Sequence, residues 1–324
     1  MRYEAGRRGV EKAVSEVRLP GCIKIGHADN GHNGVTAILC PKGCMGGVDV
    51  RGGGPGTRET DLLRPEKAAE SVNAIVLTGG SAYGLESACG VMKWLSERGY
   101  GFKVSGKVVP IVPAAVIFDL NEKELHYPDI ALGYEACERA LSEKPVFGNV
   151  GVGKGATVGK LRGMKYCCKS GIGAATEKIA GAYVTAVVAV NALGDVFDPE
   201  KGEIVAGCKN TDGSFAFAEK KLLDGEYFKF LMGNTTIGCV ITNAGLNKVQ
   251  TNKLASAAHN GLARTIYPVH TDYDGDTMFA LSAGRMPVVN FALLQTAAVK
   301  AVERAVVNAV SSTADEVVVF DEEE

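Results

Sequence analysis

The chain has 324 residues, 46% hydrophobic and 22% charged, with a formal net charge of −2. That length buries a large core without metal or disulfide staples, and so small a net charge, with no basic run, excludes a nucleic-acid footprint. No uncharged apolar run reaches the ~18–20 residues that a bilayer span requires, so no membrane partner is expected.

The N-terminal stretch MRYEAGRRGVEKAVSEVRLPG mixes charges throughout and lacks an apolar signal core, which predicts a cytoplasmic protein. Strands are expected at GVTAILC (34–40) and NAIVLTG (73–79), both short, β-branched and bounded by turn residues. A helix over 82–98 follows a Gly-Gly-Ser turn, a further strand is expected at VVPIVPAAVIF (108–118), and another helix around 129–143. AYVTAVVAVNA (182–192) and TTIGCVIT (235–242) read as strands. The helix over 247–263 then sets Leu254, Ala258 and Leu262 on one face. TMFALSA (277–283) is the next strand. The helix over 290–312 carries Phe291, Leu294, Ala298, Val302, Ala305 and Ala309 at helical steps, and DEVVVF (315–320) closes the series as a strand. Strand and helix do not alternate strictly, so sheets covered by helices, with much antiparallel pairing, are expected rather than a doubly wound parallel sheet. Neither an internal repeat nor a linker divides the chain, and residues 1–324 are expected to form one domain.

Nine cysteines in irregular spacing fit free thiols in a reducing compartment. Cys40 and Cys44 have no second pair to complete a closed zinc site, and no cofactor or metal is expected. The 41 glycines cluster at element boundaries, which implies sharp turns and close backbone approaches. One such cluster, FGNVGVGKGATVGKL, matches the first seven positions of a phosphate-binding loop from Gly148 to Lys154. Gly155 stands where the metal-holding hydroxyl belongs, and the likeness is read as accidental.

In Gly233-Asn234-Thr235-Thr236, Thr235 shares a strand face with Ile237, Cys239 and Ile241. A turn followed by a strand-edge threonine accounts for it. The sharper reading is that Thr235 attacks the Asn234 carbonyl and cuts the chain, leaving a threonine whose hydroxyl is the nucleophile and whose α-amine, with a pKa of ~7.7–8.0, is the base. Thr271-Asp272-Tyr273-Asp274-Gly275-Asp276-Thr277 fails as a calcium loop on its glycine position, but an extended backbone places Asp274 and Asp276 on one face. A solvated acidic turn is the plainer alternative. Asn191 ends an apolar run where an amide either donates to an oxyanion or caps a turn. The five histidines lack triad-like spacing, and His27 and His32 read as loop residues.

Taken together, GVDVRGGGPGTRETDLL, NAIVLTGGSAYGLESACGVMKWL, VPIVPAAVIFDL, GNVGVGKGATVGKL, VTAVVAVNALGDV, GNTTIGCVITN and YPVHTDYDGDTMFALS resemble the DmpA-type family. That family comprises L-aminopeptidase/D-esterases, β-aminopeptidases and nylon-oligomer endo-hydrolases. The resemblance implies an α/β/β/α sandwich like that of N-terminal-nucleophile hydrolases with different connectivity. It also implies self-cleavage at Asn234–Thr235 into an α chain (1–234) and a β chain (235–324), the Asn-Thr junction being similar to the nylon-oligomer branch. By the same resemblance Thr235 is the nucleophile, Lys160 and Asn191 line its pocket with Asn191 as oxyanion donor, and Asp274 and Asp276 position the threonine. Phe118 stands where some relatives carry tyrosine. The implied function is hydrolysis of small peptides, amides or esters by a homotetramer. The alternative is an acyltransferase of the ornithine-acetyltransferase kind, and a magnesium-dependent nucleotide-binding protein is the more distant rival.

Overall fold

The computed structural model describes residues 16–120, 124–179, 181–226, 233–288, 290–311 and 317–321. Most of the mixed-charge N-terminal stretch lies outside these residues, as do the last residue of the helix expected over 290–312 and the first two of the strand expected at 315–320.

The strand predicted at 34–40 runs on to Val50, and this one long element, Gly34–Val50, organises the molecule. Its residues 34–39 pair antiparallel with Lys24–Asp29, and 35–39 pair with Val72–Thr78. Beyond Val72–Thr78 lie Ala114–Val116, in parallel, and then Thr57–Arg58. Residues 45–50 instead pair antiparallel with Thr277–Met286, which is followed by Thr235–Ala244, Ala182–Asn191 and Ile172–Ile179. The Thr235 and Thr277 strands are parallel to one another, while the remaining neighbours on this side are antiparallel.

Strand side chains alternate in direction, and the apolar clusters show that the two halves of this sheet face each other. Ile25, Ile38, Ile75 and Leu77 from one half pack against Val187, Ala189, Ile237, Cys239, Ile241, Phe279 and Leu281 from the other. Burying each large aliphatic side chain of this layer contributes roughly 1.5–3 kcal/mol. The alternate residues turn outward to helices. Val35, Ala37, Ala74 and Val76 meet Ala88, Val91, Trp94 and Leu95 of helix Ser87–Glu97 and Ala136 and Ala140 of helix Ile130–Ser142. Val184, Ala186, Val188, Val240 and Ala280 meet helices Lys248–Ala263 and Phe291–Val310. The order of layers is helix, sheet, sheet, helix.

Local chemistry explains the element ends. Asn247 and Gln250 form a reciprocal capping box at the start of the Lys248 helix, and the Asp129 and Asn290 side chains cap the helices that follow them. Gly90 and Gly133 mark where the first two helices cross: a side chain at Gly90 would strike the Ile130 carbonyl, and one at Gly133 the Ser87 carbonyl.

Several expectations need correction. The helix expected from 82 opens as a 3₁₀ segment, Ser81–Glu86, before its α-helical part. The run 108–118 is broken by its prolines into Lys107–Val109, which forms a hairpin with Phe102–Val104, and Ala114–Val116. His27 is a buried strand residue in Lys24–Asp29 rather than a loop residue, with Nδ1 2.9 Å from Thr36 Oγ1. His32 does lie outside strands and helices. Among the described residues no helix is long and apolar enough to cross a membrane.

Candidate active site

Thr235 begins a central strand at the end of the inter-sheet layer, where the apolar face of Ile237, Cys239 and Ile241 gives way to polar groups. Its register partner on the neighbouring strand is Asn191. Both are almost wholly buried, at 4% and 1% exposure, so their polar atoms depend on protein partners.

Lys160 reaches them from the glycine-rich stretch. The turn carrying it is pinned to the residues just past Asn191, with Gly159 N–H and Lys160 N–H donating to the Gly194 and Leu193 carbonyls. Its ammonium donates to Asn191 Oδ1 at 2.7 Å, to the Asn191 carbonyl at 2.8 Å and to the Gly233 carbonyl at 3.0 Å. Three acceptors match the three N–H bonds of a charged lysine. Burial opposes that charge and lowers the Lys160 pKa to about 7, against the pull of Cys167, Asp274 and Asp119. Asn191 Nδ2 donates to the Phe118 carbonyl at 2.9 Å and lies 3.4 Å from the Gly233 carbonyl, while its Oδ1 also accepts from Thr157 N–H.

The acidic pair arrives from the other side. Residues 234 and 274 form a parallel bridge, and Gly275 N–H donates to the Asn234 carbonyl at 3.2 Å. Asp276 accepts Thr236 N–H at 2.6 Å on one oxygen, and both His270 N–H and His270 Nδ1 on the other. Asp274 accepts from the amide and hydroxyl of Thr271 at 2.8 and 2.7 Å. Burial, with Asp276 beside it, raises Asp274 to about 6. The segment is held from behind by VRGGGPG: Arg51 N–H donates to the Asp276 carbonyl and Gly54 N–H to that of Asp274. Gly52, at φ +94°, makes this approach possible, since a side chain there would strike the Asp274 carbonyl.

Thr235 Oγ1 donates to the carbonyl oxygen of Asn234, the residue before it. The carbonyl oxygen of the bond whose cleavage the sequence leads one to expect thus accepts from both the threonine hydroxyl and the Gly275 N–H. Thr235, Asn234, Lys160, Asn191, Asp274 and Asp276 all converge here. The Asp276 carboxylate reaches Thr235 through its neighbour, at the Thr236 amide, whereas Asp274 meets Asn234 through the backbone bridge, its carboxylate being held by Thr271.

Residue-by-residue reading does not single out His270, Thr271 and Gly275, whose contacts with Asp276, Asp274 and Asn234 only the fold shows. All three lie within or beside the acidic stretch, so adjacency is the available signal. The glycine loop is no phosphate cradle: Gly151–Gly153 is a single 3₁₀ turn followed by strand Thr157–Val158 instead of a helix, and Lys154 pairs with Asp29 at 3.5 Å. Cys40 and Cys44 are buried in the Gly34 strand, and among the described residues no group of three or more His, Cys, Asp or Glu is arranged to hold a metal ion.

Comparison with known proteins fits this geometry. An uncharacterized aminopeptidase of Mycobacterium leprae is 44% identical over 269 residues, covering 78% of this chain and 71% of its own. A 6-aminohexanoate-oligomer endohydrolase of Agromyces sp. is 34% identical over 285 residues, covering 85% and 76%. Among solved structures, the L-aminopeptidase D-Ala-esterase/amidase of Ochrobactrum anthropi, described as a new variant of the Ntn-hydrolase fold, superposes with a TM-score of 0.63 at 20% identity over 90% of this chain and 84% of that one. The four-layer arrangement is that fold. The profile of peptidase family S58 matches residues 14–324, and the chain belongs to that family of peptide- and amide-bond hydrolases.

Proposed function

We propose that the chain cuts itself between Asn234 and Thr235 and then hydrolyses small peptides, amides or esters through the new N-terminal threonine. The observation that carries this reading is the Thr235 hydroxyl resting against the Asn234 carbonyl, whose oxygen also accepts Gly275 N–H. Attack of Oγ1 on the Asn234 carbonyl carbon forms a C–O bond and then breaks the C–N bond, whose nitrogen takes up the proton. Gly275 N–H stabilises the transient oxyanion. Water opens the resulting ester, leaving Asn234 as a carboxylate and Thr235 with a free amine.

The cut also releases donors. Lys160 and Asn191 both face the Gly233 carbonyl, which belongs to the departing end. Once that end withdraws, the Asn191 amide turns to the oxyanion of an incoming substrate, and the Lys160 ammonium favours the neutral form of the Thr235 amine. That amine takes the hydroxyl proton as Oγ1 attacks and returns it to the leaving group, and water releases the acyl-enzyme. Asp276 and Asp274 fix the strand entry through Thr236 and the Asn234 bridge.

Mass spectrometry tests the first step: the purified chain should give two fragments, the smaller beginning Thr-Thr-Ile-Gly-Cys. A species that stays intact near 33.9 kDa after long incubation sinks the self-cleavage reading. Thr235→Ala should leave the chain intact and inactive, whereas retained hydrolysis would place the nucleophile elsewhere.

A further inference from the structure

His270 lies outside the strands and helices, just ahead of the acidic stretch, and its backbone is left-handed, at φ +59°. Few residues with a side chain adopt that conformation, and histidine is among those that tolerate it. Its result here is that ring Nδ1 and the main-chain N–H of one residue both reach Asp276 Oδ2, at 2.7 and 3.1 Å. A carboxylate only accepts, so Nδ1 carries its hydrogen and donates it. Asp276 is wholly buried and depends on these donors. Its other oxygen takes Thr236 N–H at 2.6 Å, the first amide after Thr235.

The ring is itself wedged in place. His259, fully buried in helix Lys248–Ala263, meets it edge to face with centroids 4.8 Å apart. His259 Nε2–H donates in turn to the Asp49 carbonyl at 2.9 Å, and Asp49 pairs with Met278 two residues beyond Asp276. His270 Nε2 is sealed from solvent and has no hydrogen-bond partner among the described residues. A substrate cannot touch a nitrogen enclosed in this way, which leaves Asp276 as the group the ring acts on.

We infer that His270 is a positioning residue: by holding Asp276 Oδ2 it aims Oδ1 at the Thr236 amide and so fixes the peptide plane that follows Thr235. This role rests on Thr235 being the nucleophile, as in the proposed function. Before the cut Thr235 is held from both sides, since Gly275 N–H also grips the Asn234 carbonyl. After the cut it is a chain end, and the Thr236 amide is its nearest fixed peptide group. Turnover should therefore depend on His270 more than self-cleavage does.

Two substitutions separate the ring from the backbone. His270→Gly keeps the left-handed turn and the main-chain N–H and removes the ring. His270→Asn tolerates the same φ and sets an amide N–H near the place of ring Nδ1. In the full-length chain His270→Gly is expected to lower kcat by about 10-fold or more with KM within about 2-fold, and to slow self-cleavage less. His270→Asn should recover most of the lost kcat. A rise in KM with kcat kept, or an asparagine variant no better than the glycine one, overturns the inference. Should the glycine variant not fold, His270→Asp replaces it, having the shape of asparagine without the donor. Hydrogen exchange in protein carrying ¹⁵N-threonine gives a readout without turnover. The Thr236 amide, assigned by its loss in Thr236→Ser, should exchange at least about 10-fold faster in His270→Gly, while Thr242 farther along the strand keeps its rate. Unchanged protection at Thr236, or a loss shared equally by Thr242, overturns the inference as well. An unsubstituted chain that never cuts itself fails the proposed function, and the exchange comparison still decides whether His270 holds Asp276 on Thr236.

Discussion

Lys154 and Lys160 lie on the same glycine-rich stretch, and their surroundings differ in nearly every respect. Lys154 ends half-buried in a single 3.5 Å pair with Asp29. Lys160 ends among three oxygens within 3.0 Å, with burial pressing on its charge. A phosphate-loop motif selects the first lysine by register, while the fold delivers the second to the chemistry by pinning its turn to Leu193 and Gly194. Desolvation and partners, not position in a glycine pattern, make a lysine chemically useful.

Substitution should separate the two sharply. Lys160→Met leaves the Asn191 and Gly233 oxygens without their donor, and both processing and kcat are expected to fall by about 100-fold or more. Fragment appearance on gels and steady-state rates check this, and a loss no greater than that of Lys154→Gln would break the comparison. The next effect is on pH. With Lys160 at about 7 and Asp274 at about 6, hydrolysis should follow a narrow bell, falling above the first value as the ammonium deprotonates and below the second as the carboxylate protonates. A rate that stays flat from pH 5 to 9 (about three units wider than this bell,) would contradict it.

Asp274 sharpens the same point through stability. Its folded pKa is raised above the ordinary 3.8, so the stability it contributes is present below that value and lost as pH rises through about 6. Asp274→Asn escapes that loss. Relative to the unsubstituted chain, it should gain on the order of 2 kcal/mol between acidic and mildly alkaline pH, read from denaturant midpoints. A gain that runs the other way with pH would show that hydrogen bonds from Thr271 outweigh burial. The smallest effect belongs to Lys154→Gln, which should change stability by no more than about 0.5 kcal/mol and leave turnover untouched.

Much of this was legible in the residues. Helices with side-chain caps, such as the one after Asn247, and strands with β-branched alternation, such as Ala182–Asn191, announce themselves locally. Ile172–Ile179 did not, because its glycine and alanines lack strand-forming bulk; a helix packs so closely that a side chain at Gly173 would strike the Ala305 carbonyl. Lys24–Asp29 carries lysine, histidine and aspartate, and its burial comes from partners in the Gly34 strand. In the site, Thr235, Asp274 and Asp276 stand out as residue types in a suggestive order. Lys160 came through family resemblance, and Asn191, which the end of an apolar run left open between an oxyanion donor and a turn cap, was joined to it the same way, since nothing in their spacing brings them together. Gly275 meets the Asn234 carbonyl through its backbone amide, and such a contact leaves no pattern along the chain.

The sheet order bears on what a cut at Asn234–Thr235 would produce. The Thr235 and Thr277 strands, both downstream of the cut, lie side by side with Ala182–Asn191 on one flank and residues 45–50 on the other. The downstream piece is therefore woven into the sheet between two upstream strands, and its two helices form one of the outer layers. Pulling the pieces apart would tear two ladders and bare the inner layer, so nicked protein should migrate as one particle until it is denatured. Hydrolysis of that peptide bond would create a chain end without dismantling the body that holds it.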